Sequence, residues 1–304
     1  MDSNSTISKD PPSTPQAAEK VLVPALDHAP PPRGDPLRRW LRPGSAGFFL
    51  LVVALAAAGG CQSSLSRSEA DEQAFYARVK VDTTDRQIIF SKAPDSASLR
   101  HLARLPGTWH VTFDGTLYPD PPAPQVLRGH RFPNVIAVSF TEGMDIDPWL
   151  REMSRPDSGF KSLASLYLGG TKVTDADLKE LARPDSGLNA LVELDLPDTK
   201  VTDAGLKELA RPVNGLKALT SLRLYKTEVT DAGVRELARP DSGLAALTSL
   251  DLMDTKVTDA GLKELARPDS GLKALTSLEV RDTKVTDAGV AALKKARSGL
   301  TIVH

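Results

Sequence analysis

The stretch Leu247-Thr248-Ser249-Leu250-Asp251-Leu252-Met253-Asp254-Thr255-Lys256-Val257-Thr258-Asp259-Ala260-Gly261-Leu262 changes character halfway along. In its first half Leu250 and Leu252 alternate with Asp251, as a strand with one buried face requires. In its second half, and just beyond it, Thr258 and Asp259 precede Leu262 and Leu265, the pattern of a capped helix with one apolar stripe. The unit recurs. Val-Thr-Asp-Ala begins at residues 173, 201, 229, 257 and 285, always 28 residues apart. A degenerate earlier copy places Val135, Val138, Phe140, Leu150 and Met153 where Leu163, Leu166, Leu168, Leu178 and Leu181 follow. A fixed period of this length predicts stacked strand–helix units, here from 132 to 304 and closing on the strand Leu300-Thr301-Ile302-Val303.

A residue repeated in every unit of a stack serves the stack first. The leucines point inward from the strands, and Val173 and its equivalents turn the corner. Thr171, Thr199, Thr227, Thr255 and Thr283 can satisfy backbone groups that the turn leaves unpaired. Thr174 is placed to cap a helix, with Asp175 in the first turn facing the positive end of the helix dipole. Arg183 is expected in the last turn, and Pro184-Asp185-Ser186-Gly187 returns the chain to the next strand. The stacked aspartates lack the ligand density of a calcium loop, so no metal is expected there.

The unit LxxLxLxxTxVTDAGL resembles the leucine-rich repeat, in the VTDAGL form of the cysteine-containing subclass seen in F-box substrate receptors and bacterial surface proteins. Thr171 and its equivalents stand where that subclass carries Cys. The resemblance implies an α/β solenoid with a parallel sheet on the concave face, helices on the convex face and a partner bound in between the rims. Partner choice must then be written where units differ. Reading outward-facing strand positions and the two residues beyond each strand gives Tyr167, Asp195, Arg223, Asp251 and Glu279, then Tyr225, Met253 and Arg281, then Asp198, Lys226, Asp254 and Asp282. Tyr and Met are candidate apolar anchors among mostly acidic neighbours and an Arg223/Lys226 island, a ribbon suited to a basic or mixed-charge protein surface, with a glycan as the alternative.

Whole-chain properties exclude other classes. Of 304 residues, 40% are apolar and only 5% aromatic, which suits many small leucine layers better than one large core. The net charge of -1 offers no field for nucleic acid. His28, His101, His110, His130 and His304 fall in no triad or metal-ligand spacing, and no Gly-rich phosphate loop or GxSxG elbow occurs. Neither catalysis nor a cofactor is expected.

Ahead of the repeats, residues 1–45 form a Pro-rich segment running into a basic stretch with Arg33, Arg38, Arg39 and Arg42. Residues 46–61 hold an apolar run, Gly47 to Ala58, that ends in Ala58-Gly59-Gly60-Cys61. The run is too short for a membrane span, which needs about 20 residues, but it suits an export signal. Its end resembles a bacterial lipobox, which implies acylation of Cys61, a membrane anchor at that residue and a location on the exported face of the cell envelope. Residues 62–85 read as a flexible tether, and 86–131 as a small α+β cap. In the cap, Ser98–Leu105 has helical spacing, Thr108–Phe113 alternates as a strand, and Asp114-Gly115 predicts a hairpin into Thr116-Leu117-Tyr118. Two other readings of the chain remain: an intracellular F-box-like adaptor, and a structural envelope component.

Overall fold

One inward-pointing residue per unit decides the architecture. Ile88, Val111, Val138, Leu166, Leu194, Leu222, Leu250, Leu278 and Ile302 are buried and occupy the same register position on successive strands. Each but Ile302, on the edge strand, has a neighbour on both sides, so its apolar surface is covered by the adjoining units rather than by its own. The structure, a computed structural model, describes residues 66–116 and 124–304. The Cys61 lipobox, the apolar run before it, and Leu117-Tyr118 lie outside the described residues.

The elements follow in the order α1 (Arg67–Tyr76), β1 (Val79–Asp82), β2 (Gln87–Phe90), α2 (Ser96–Leu102), β3 (Trp109–Phe113), β4 (Val135–Phe140) and α3 (Asp147–Met153). From there strand and helix alternate: β5 (Ser165–Tyr167), α4 (Asp175–Leu181), β6 (Glu193–Asp195), α5 (Asp203–Leu209), β7 (Ser221–Arg223), α6 (Asp231–Leu237), β8 (Ser249–Asp251), α7 (Asp259–Leu265), β9 (Ser277–Glu279), α8 (Asp287–Ala296) and β10 (Thr301–Val303). The strands form one sheet of ten in chain order, with every pairing parallel except β1–β2. Consecutive helices from α3 to α8 pack on one another along the other side, as α1 and α2 do.

The repeated polar residues have definite partners. Each ladder threonine donates its hydroxyl hydrogen to the carbonyl three residues back, from Thr171 to Leu168 through Thr283 to Val280, at 2.6–2.7 Å. The aspartate that opens each helix reaches further than expected. Asp175, Asp203, Asp231 and Asp259 each accept from both the backbone N–H and the hydroxyl of the capping threonine one unit on, Thr202, Thr230, Thr258 and Thr286, at 2.7–2.8 Å. These carboxylates therefore join units, beyond facing a helix dipole. Arg183 falls past the end of α4 and pairs with Asp185 at 2.9 Å and Glu180 at 3.4 Å, so its role is a surface ion pair instead of a last-turn charge.

Three expectations are corrected N-terminal to the array. The tether expected over 62–85 gives way at Arg67 to α1, which is followed by β1. Ser66 and Glu69 form a capping box at the start of α1, and Asp71, fully buried, is held by Arg100 of α2 at 2.7 Å. Glutamates and polar residues give α1 its tether-like composition; Phe75, edge-on to Phe90 at 6.2 Å, docks it. The hairpin expected after Asp114-Gly115 is not what pairs β3, whose neighbours β2 and β4 both run parallel to it. Alternation identifies a strand but not its partner; Phe113 stacks between Phe90 at 5.4 Å and Phe140 at 5.5 Å, continuing the inward column that Leu168 and Leu196 occupy later. The parallel ladder thus begins at β2, inside the region expected to be only a cap.

Candidate functional site

Three-residue strands fix which side chains face outward. In β5 to β8 the middle residue is buried and the two flanking ones are half-exposed on the sheet face. Beyond each strand the backbone turns at Gly170, Asp198, Lys226, Asp254 and Asp282, with φ of 68°, 52°, 58°, 51° and 56°. Asp accepts this left-handed conformation more readily than most residues, and Lys226 is held in it at a cost of about 1 kcal/mol. Ladder bonds such as Asp198 N–H to Tyr225 O (3.1 Å) and Lys226 N–H to Met253 O (2.9 Å) carry the sheet register through these turns. Every expected ribbon residue therefore lies on one continuous surface: Tyr167, Asp195, Arg223, Asp251 and Glu279 in one row, Tyr225, Met253 and Arg281 in the next, and Asp198, Lys226, Asp254 and Asp282 along the rim.

The surface is organised by internal bonds. Tyr167 donates its hydroxyl to Glu193 at 2.9 Å, and Arg223 meets the other oxygen of Glu193 at 3.0 Å. Arg223 is 3.8 Å from Asp195 Oδ1, too far for a hydrogen bond, and that buried oxygen has no hydrogen-bond partner. Lys226 donates to Asp198 at 2.6 Å, and Arg281 clasps Glu279 at 2.5 and 3.1 Å. Asp251 turns back to accept from the Met253 N–H at 2.9 Å. His110 rests against Tyr167 with ring centres 5.5 Å apart, and its Nε2 lies 2.5 Å from Ser139 Oγ.

Two members of this network were not among the expected site residues. Glu193 stands in a row otherwise filled by Ser165, Ser221, Ser249 and Ser277, so a carboxylate in a column of serines was the available signal. His110 was assigned to the cap; it reaches the sheet face because β3 joins the ladder, which its irregular spacing from the repeats conceals.

Burial shifts the ionisable groups in opposite senses. Asp195 is pushed up from 3.8 to about 6 by burial, which outweighs the attraction of Arg223. Tyr167 rises to about 12 through burial and then the charge of Glu193, and Asp251 and Tyr225 are also raised by burial. His110 falls from 6.5 to about 4 because burial disfavours its cation. A carboxyl with a raised folded pKa keeps its proton longer in the folded chain, so stability falls as pH climbs from 3.8 toward 6. For His110 the sense reverses, with stability complete above 6.5 and lost as pH falls toward 4. Asp195→Asn is therefore expected to stabilise the chain by on the order of 1 kcal/mol at pH 7.5 and to have almost no effect at pH 3.5, where the native carboxyl is itself neutral. Thermal melts at both values check this, and an equal shift at both would refute it.

The parallel ladder, the inward leucine columns and the 28-residue unit make this chain a leucine-rich-repeat solenoid. In agreement, the Leucine Rich repeat family model matches residues 188–210, 245–266 and 270–294. Among solved structures the chain is similar to an internalin, inlF, from Listeria monocytogenes, at 17% identity over 69% of this chain and 63% of that one, with a TM-score of 0.36. It is similar also to the internalin-like protein lmo2027 of the same organism, at 13% identity over 66% of this chain and 53% of that one, with a TM-score of 0.38. A third is the Toll–Spatzle complex of Drosophila, at 13% identity over 66% of this chain and 24% of that one, with a TM-score of 0.41. This chain thus spans under two thirds of each of those chains. No curated protein sequence matches it.

Proposed function

We propose that this chain is a recognition module that holds a protein partner on its strand face, exported and anchored to a membrane by a lipid on Cys61, with no catalytic step of its own. The reading is supported chiefly by the Tyr167–Glu193–Arg223 network. It fixes a half-buried aromatic and an arginine on an open sheet, with their polar ends already bonded. Pre-ordered Tyr and Arg side chains lose little rotamer entropy on association and are the residue types that most often dominate interface energy. The helix side offers no such variation, because its capping threonines, aspartates and arginines are taken up by unit-to-unit bonds and surface ion pairs. The anchor is supported by sequence alone, through the small residues before Cys61 and the apolar run ahead of them.

Two measurements test the halves separately. Capture from a native envelope extract with the intact chain, repeated with Tyr167→Ala/Arg223→Ala, is expected to lose its principal protein partner while the melting profile stays close to native. A captured set that is the same with both baits would exclude the strand face. Metabolic labelling with a fatty acid is expected to mark the native protein and not Cys61→Ser; an unlabelled protein that retains Met1 would remove the anchor.

A further inference from the structure

The chain as a whole is nearly neutral, at -1, but its charges are not evenly spread. On the sheet face and rim from β6 to β9, the acids are Glu193, Asp195, Asp198, Asp251, Asp254, Glu279 and Asp282, and the cations are Arg223, Lys226 and Arg281. Each of those cations is already committed: Arg223 to Glu193, Lys226 to Asp198 and Arg281 to Glu279. Asp251, Asp254 and Asp282 form no ion pair among the described residues.

The surplus has a shape. Tyr225 and Met253 are half-buried neighbours in one row, with Asp251 on the strand side of Met253 and Asp254 on its rim side. An arginine or lysine of a partner laid across this row would rest its aliphatic stem on the thioether and the phenol ring, and bring its cationic end to a carboxylate on either side. In the neighbouring strand row, one strand before Arg223, lies the buried Asp195 Oδ1, an acceptor with no donor among the described residues. An anionic or neutral partner would leave these groups unpaired and add desolvation to repulsion.

We infer that the occupant of the strand face is a cationic protein segment, whose Arg or Lys side chains pack on Tyr225 and Met253 and pair with Asp251 and Asp254. This rests on the strand face being the recognition surface and names the chemistry it recognises. The contact is then an ion pair at an exposed surface, so affinity should fall with rising salt.

The test uses the full chain and three probes of equal length: a Gly-Arg alternating peptide, its Gly-Lys counterpart and a Gly-Glu counterpart, titrated by calorimetry or fluorescence anisotropy at low and physiological salt. The expected result is binding of the two cationic probes alone, weakened about tenfold in Asp251→Asn and again in Asp254→Asn. It should be unchanged in Lys179→Gln on the helix side. Both carboxamide variants keep side-chain volume, and a melt of each confirms the fold. Failure of the cationic probes to bind, preference for the Glu probe, or binding indifferent to Asp251 and Asp254 would each overturn the inference. So would a rise in mass with concentration that the same variants abolish, which would make a second copy the occupant. The Tyr167/Arg223 capture experiment stands apart from these outcomes: a partner lost there, with cationic probes ignored here, keeps the strand face and discards the cationic segment.

Discussion

Gly215→Ala is expected to destabilise the array by about 3 kcal/mol, whereas Gly299→Ala, at the equivalent place in the last unit, is expected to be neutral. Both glycines close the turn that leads to the next strand, and neither requires a left-handed backbone. They differ in what lies opposite. A Cβ on Gly215 would stand 2.3 Å from the carbonyl oxygen of Arg183 and 2.9 Å from Ser186 Cβ, whereas one on Gly299 would meet nothing within 4 Å. The obstacle at Gly215 is backbone, and it cannot swing aside cheaply. The Arg183 carbonyl accepts from the Ser186 N–H at 2.9 Å, and the adjacent Ala182 carbonyl accepts from Gly215 itself at 3.1 Å. Relief therefore has to come from separating two units, which loses the leucine contacts between them. In a stack held by nearest-neighbour interfaces, a weakened central interface lowers cooperativity as well as stability. Urea unfolding should show a lower midpoint with a shallower slope for Gly215→Ala and a native curve for Gly299→Ala. Matching curves for the two variants would mean that the close approach of units is not what the glycine serves.

This glycine shows where the sequence stops being legible. Position 215 reads as turn chemistry, a local explanation, while the operative reason is a carbonyl in the preceding unit, 32 positions back along the chain at Arg183. The leucine columns, the ladder threonines and the capping threonines were readable because their partners lie within the unit or at a fixed 28-residue offset. The first ladder strands were hidden by spacing, since Ile88, Val111 and Val138 share a register position without sharing that period. Helix α1 was hidden by composition, although Ser66 and Glu69 carry the spacing of a capping box that could have announced it. On the strand face the alternation made the outward positions of the sheet legible. The variable positions did not show which cations were already spoken for, because the Arg223–Glu193 bond joins adjacent strands through a row of which they are not part.

The glycine at the third position of α5, α6, α7 and α8 makes the second large prediction, and here helix propensity points the wrong way. Replacing a helical Gly by Ala ordinarily stabilises by about 1 kcal/mol. Gly233→Ala in α6 is expected instead to cost about 2 kcal/mol, because its Cβ would stand 2.5 Å from Asp203 Oδ1 and 2.8 Å from Leu206 Cδ1. That carboxylate cannot retreat without releasing the Thr230 N–H at 2.8 Å and hydroxyl at 2.7 Å, the charged hydrogen bonds that join the two units. Asp203→Ala should therefore cost about 2 kcal/mol by itself. In that background the one close contact left is Leu206 Cδ1 at 2.8 Å, the end of a side chain that can turn into the space the carboxylate leaves. The propensity gain then returns and the double variant should be no less stable than Asp203→Ala alone, a coupling of about 2 kcal/mol in a double-mutant cycle. The chain already contains a version of this exchange. Asp177 occupies the glycine position of α4, and there the capping Thr174 is held by Asp177 of its own unit, at 2.8 and 2.9 Å, in place of a carboxylate from the unit before. Additive losses in the cycle would show that the Asp–Thr staple and the helical glycine are independent features, and the steric reason for the Gly of Val-Thr-Asp-Ala-Gly would have to be abandoned.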